Sequence, residues 1–108
     1  MAEIKAFTLR NIPITPRAIV LFEHDGTKRL FSHEVEIARI SPCGELQKVA
    51  RAPYGNKVGD FLLRFIKTYA AKTIVDFMPT DPSDILQLWD VLPDDCFLDR
   101  EIVQNALY

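Results

Sequence analysis

The stretch LFEHDGTKRLFSHEVEI at residues 21–37 holds both histidines of the chain, His24 and His33, and four carboxylates, Glu23, Asp25, Glu34 and Glu36. A histidine beside a carboxylate can act as a general base, and histidines with acidic residues can also hold a metal. HEVE is half of a zinc-binding helix motif without its second histidine, and its alternation is that of a strand. In a hairpin closed at Asp25-Gly26 the two histidines would stand about 20 Å apart at ~3.3 Å per residue, too far to share one metal. His24 and His33 are therefore candidate acid/base or ligand residues in a sheet–helix cleft, and more simply structural residues of a hairpin.

The remaining chemistry-bearing types are no more demanding of a reaction. Cys43 and Cys96 form no CxxC or Cys/His spacing for structural zinc. Cys43 falls in a turn, and Cys96 follows Asp94 and Asp95, whose charge opposes a thiolate. Both read as free thiols of a reducing cytoplasm. Asp76, Asp81 and Asp84 lack the order of a calcium loop, and the last two are explained as residues at a helix start. Neither GxxxxGKS/T nor GxGxxG occurs. No metal or cofactor is expected, and the balance of these signals is against an enzyme.

Basic residues offer a second chemistry. Arg10, Arg17, Lys28, Arg29, Arg39, Lys48, Arg51, Lys57, Arg64 and Lys67 could line a phosphate-binding strip, with Arg29, Arg39, Arg64 and Lys67 as the principal contacts to nucleic acid. The sequence pI of about 5.6 argues against a dedicated nucleic-acid domain. Charge is nevertheless uneven. Residues 1–75 carry 12 of the 13 lysines and arginines against 7 acidic residues, and residues 76–108 carry Arg100 against 8. An acidic C-terminal part that packs back on the basic part, of the same copy or another, is the simplest use of that asymmetry.

The elements that must position these residues follow from period and punctuation. A two-residue Asp25-Gly26 turn makes facing residues sum to 51, opposing Glu23 to Lys28. Phe22, Phe31 and Val35 then share the core side, and Ile19, Leu21 and Leu30 the other. IKAFTLRNI reads as a preceding strand, with Pro13 and Pro16 enforcing an extended connection. The second hairpin strand runs on through VEIARI to SPCG, a type I turn by its Pro42 and Gly44, and ELQKVARAP returns as a fourth strand. From Asn56, a plausible helix cap, the period changes. Val58, Phe61, Leu62, Phe65, Ile66 and Tyr69 recur at helical spacing. TIVDFM reads as a short strand ended by Pro79. Asp81 caps a second helix with Pro82 at its first position and Ile85, Leu88, Trp89 and Leu92 inward, and DREIVQNALY reads as a last helix.

The expectation is one domain over residues 1–108 of α+β class: an antiparallel meander of about four strands in the N-terminal half, packed against two to three C-terminal helices. There is no secretory pattern and no apolar run of membrane length, so a cytoplasmic, soluble protein is expected. Ile19, Leu21 and Leu30 make the second hairpin face too apolar to be simply wet, and Tyr54, Tyr69 and Tyr108 are further aromatic anchors. The favoured function is a small protein-binding module, as inhibitor, accessory or regulatory protein, working through that face and self-associating as a homodimer. A nucleic-acid-associated regulator and a small enzyme or ligand binder are the alternatives.

Overall fold

The computed structural model describes the strand at residues 3–7 together with residues 18–52 and 56–107. The connection through Pro13 and Pro16, the basic residues Arg10 and Arg17, Tyr54, Tyr108 and the side chain of Asn56 lie outside the described residues. Strands β1 (Glu3–Phe7), β2 (Ala18–Phe22), β3 (Lys28–Ser32), β4 (Val35–Ile40) and β5 (Leu46–Lys48) come first. Helices α1 (Asn56–Tyr69), α2 (Lys72–Val75) and α3 (Pro82–Val91) follow, then strand β6 (Cys96–Phe97) and helix α4 (Arg100–Leu107). All six strands form one antiparallel sheet in chain order. Helices α1, α3 and α4 pack on one face of it, so the class is α+β as the periodicity implies.

The first hairpin differs from its sequence reading by one residue. Gly26 N–H donates to Glu23 O at 3.1 Å, Glu23 N–H donates to Thr27 O at 2.9 Å, and Asp25 Oδ1 accepts from Thr27 N–H at 2.8 Å. Asp25 thus spends its side chain on holding a turn in which only Gly26 takes positive φ, at 97°. The loop becomes three residues, a type I turn closed by a left-handed glycine, and not a two-residue one. Val20 now faces Leu30, and Ile19 faces Phe31. One slip exchanges the faces of the whole second strand.

The stretch from Thr27 to Ile40 is not one strand but two. His33 and Glu34 take φ of 50° and 70°, and Ser32 pairs with Val35 across them. This is the geometry of a type I′ loop, built without the Asn or Gly that would advertise it. SPCG does form its expected turn, with Gly44 at φ 88° donating to Ser41 O at 2.9 Å. TIVDFM is helical over α2. The N–H groups of Ile74 and Val75 turn back to Ala71 O, which spends on a local coil the donors that a strand would need. Strand β6 had no sequence signal at two residues; it docks on β5 and places Phe97 opposite Gln47.

The core is a closed layer of Val20, Leu30, Ile37, Ala38, Ile40 and Leu46 from the sheet against Phe61, Phe65, Ile85, Leu88 and Trp89 from the helices. Asp81 caps α3 by accepting from Ser83 N–H at 2.8 Å, with Pro82 at the start as expected. Asp99 does the same for α4 through Ile102 N–H. The uneven charge is used within the chain. Lys48, its side chain 3% exposed, donates to Leu92 O at 2.6 Å and Asp94 Oδ1 at 2.8 Å, and Arg51 pairs with Asp90. Among the described residues no helix is long and apolar enough to cross a membrane.

Two substitutions test this architecture. A Cβ at Gly59 would lie 2.6 Å from Pro82 O, backbone that cannot yield without moving α3 off α1. Gly59→Ala is expected to cost about 1–3 kcal/mol in urea unfolding, and an unchanged midpoint would deny that contact. Replacing His33 by Asn and Glu34 by Gly together should instead stabilise by ~1 kcal/mol, since Asn and Gly tolerate the positive φ that both positions keep; a loss of stability would show that the loop is built otherwise.

Candidate functional site

With the helices on one face, the other face of the sheet carries the residues of interest. Register aligns Leu21, Arg29, Arg39, Gln47 and Phe97 in one cross-strand row from β2 to β6. Ile19, Phe31 and Glu36 form a second row beside it. Ile19, Leu21 and Phe31 are half-buried, and Phe97 is 53% exposed. Leu30 does not belong with them. The register shift turns it into the core, where it is fully buried, so the expected trio is replaced by Ile19, Leu21 and Phe31.

A bulge builds the centre of this face. Leu30 pairs with Ala38 but Phe31 pairs with Glu36, which leaves Ile37 without a partner on β3. Residues three apart in an unbroken strand point to opposite faces, yet here Glu36 and Arg39 share one. Arg29 and Arg39 face each other across β3 and β4, an arrangement of like charges that would repel. Glu36 resolves it. Its carboxylate, 11% exposed, accepts from Arg29 Nε at 2.6 Å and Nη2 at 3.3 Å, and from Arg39 Nη2 at 2.7 Å and Nε at 3.2 Å. Arg29 Nη1 also reaches Glu23 Oε1 at 2.9 Å, and the Arg29 guanidinium lies 5.4 Å from the centre of the Phe31 ring. Two arginines and two glutamates thus close into a group of no net charge.

The electrostatics follow from these contacts. Burial works to raise the Glu36 carboxyl, but the hydrogen bonds from Arg39 and Arg29 outweigh it and hold the carboxyl below its ordinary range. The same bonds raise both arginines above theirs. Asp25 is lowered too, by the Thr27 N–H. A shallow open hollow of about 300 Å³ lined by Glu23, Asp25, Thr27, Arg29 and Arg39 is consequently a place of fixed, paired charges at neutral pH.

Comparison with protein-family models, curated proteins and solved structures finds no match to this chain.

The other candidate residues are scattered. His24 lies in the β2–β3 loop and His33 in the β3–β4 loop, at opposite ends of β3, and both are exposed. Arg29 and Arg39 are on the sheet face away from the helices, whereas Arg64 and Lys67 are on the exposed side of α1. The expected phosphate strip is divided between two sides of the molecule. Arg64 and Lys67 do line an open groove of about 430 Å³ with Leu63, Thr68, Thr80 and Pro82, but Asp60 shares its wall. Cys43 is exposed in its turn, Cys96 is half-buried, and neither is bonded to another cysteine. No group of three potential metal ligands occurs among the described residues. Glu36 was missed in the sequence as a site residue because a bulge carries no local signal there.

Glu36→Gln removes the charge shared by two facing arginines. A loss of about 1–2 kcal/mol at neutral pH is expected, kept modest because both arginines are partly solvated. The sign of the pH dependence follows from the lowered carboxyl. Its contribution is whole above the unfolded glutamate value of about 4.3 and disappears as pH falls through the lower folded value. Wild type should therefore lose more stability than Glu36→Gln below about pH 4. Parallel acid unfolding curves for the two proteins would contradict the network.

Proposed function

We propose that the chain is a protein-binding module that works through the outer face of its sheet and associates there with a second copy of itself. The observation that carries this reading is the apolar content of a face on which none of the described helices packs. A meander with one wet face alternates apolar with polar residues, whereas Ile19, Leu21 and Phe31 are adjacent here and only half-buried. Side chains of this kind at the centre of a surface are the material of interface hot regions, ringed by polar groups that exclude water.

The charges on the face support a second copy in particular. Glu23, Arg29, Glu36 and Arg39 are paired among themselves, so two identical faces meet without net repulsion and without bringing an unpaired charge out of water. The same pairing weakens the case for phosphate binding, since each guanidinium is already engaged by glutamate. Two free thiols suit a reducing cytoplasm. A small homodimer of this design would serve as an accessory or regulatory protein, with no reaction of its own.

Light scattering on the purified protein tests the reading. Wild type should have the mass of a dimer, and Leu21→Lys should be a folded monomer, its association weakened on the order of 100-fold by the lost apolar burial and the introduced charge. A monomeric wild type would overturn the proposal.

A further inference from the structure

The outer face is not merely apolar and neutral; its two rows are complementary to each other. From β2 to β4 the first row reads Leu21, Arg29, Arg39, and the second reads Ile19, Phe31, Glu36. Aliphatic stands beside aliphatic, a guanidinium beside an aromatic ring, and a guanidinium beside a carboxylate. Two of these matches are already made within one copy, at 5.4 Å for Arg29 over Phe31 and 2.7 Å for Arg39 to Glu36.

We infer that two copies pack face to face about a two-fold axis that lies between the sheets, perpendicular to the strands, and passes between these rows. This rests on the reading above and adds the geometry of the pair. Such an axis turns one sheet over and exchanges the rows. Leu21 then meets the partner's Ile19, Arg29 covers the partner's Phe31, and Arg39 approaches the partner's Glu36. In an isologous interface, if residue i touches j, then j touches i, and the exchange of the rows makes each such contact on β2, β3 and β4 a complementary one. An axis along the strands over β4 would instead set Arg39 on the partner's Arg39. An axis along the first row would set Leu21, Arg29 and Arg39 each on its own counterpart, with the same repulsion. Of these three axes, the one between the rows alone puts unlike charges together. Faces about 10 Å apart, the usual spacing of stacked sheets, let such side chains interdigitate.

The decisive experiment mixes two variants, Leu21→Lys and Ile19→Glu. Each alone should be monomeric by light scattering and folded by circular dichroism. Mixed in equal amounts they should form a heterodimer by native mass spectrometry, because the axis between the rows joins the new lysine to the new glutamate and leaves the other Leu21 and Ile19 in contact. A dimeric wild type whose two monomeric variants stay apart on mixing would overturn this axis and leave self-association through the face standing. A monomeric wild type would overturn both. Should either variant fail to fold, Leu21→Cys and Ile19→Cys, each with Cys43 and Cys96 changed to Ser, replace them with a short bis-maleimide. Crosslinking between position 19 and position 21 must exceed crosslinking between two copies of position 21, and the reverse order would contradict the axis.

Discussion

The indole N–H of Trp89 donates to the carbonyl of Ile37 at 2.8 Å, and both residues are fully buried. Ile37 is the extra residue of the bulge between β3 and β4, and its carbonyl turns toward the chain leaving β5. Val49 N–H at 3.0 Å and Ala50 N–H at 3.5 Å donate to the same carbonyl. A buried donor left unmade costs about 1–3 kcal/mol, so the indole N–H cannot give up this carbonyl cheaply. One bond thereby joins the step in the sheet to the position of α3. The orientation of the outer face follows, because only that step brings Glu36 onto the same side as Arg39.

The helices transmit the same constraint. Trp89 is among the largest side chains of the core, and α3 that carries it is held against α1 at Gly59, where the Pro82 carbonyl approaches too closely for any side chain. Past the end of α3, Lys48 takes hold of Leu92 and Asp94 and leads the chain back to the sheet edge as β6. Basic residues in and just after β5 are thus tied to the acidic stretch in and just after α3 inside one copy. The face that the described helices leave holds paired charges beside the half-buried Ile19, Leu21 and Phe31.

The sequence was most legible where chemistry is local. Pro42 and Gly44 specified their turn, Asp81 and Pro82 the start of α3, and the period of Phe61, Phe65 and Ile66 the buried side of α1. It was illegible where a side-chain bond or the pairing of strands overrides the residue types. Asp25-Gly26 carries the hallmarks of a two-residue loop, but Asp25 Oδ1 accepts from Thr27 N–H in a three-residue one, and the resulting register places Leu30 in the core. His33-Glu34 bends at positive φ with no residue type that asks for it, held by pairing on either side. Ile19 and Leu21 were visible as an apolar pair, whereas Phe31 and Glu36 joined them only through the register and the bulge.

The Trp89 indole proton reports on the central bond directly. Its hydrogen exchange, followed by nuclear magnetic resonance beside that of the slowest backbone amides, measures how often the link to Ile37 opens. Exchange as slow as global unfolding allows is the outcome this account predicts, since the group lies in the core and nothing short of unfolding frees it. An indole proton that exchanges as readily as one in open solvent would contradict the bond, and with it the docking of α3 on the bulged strand.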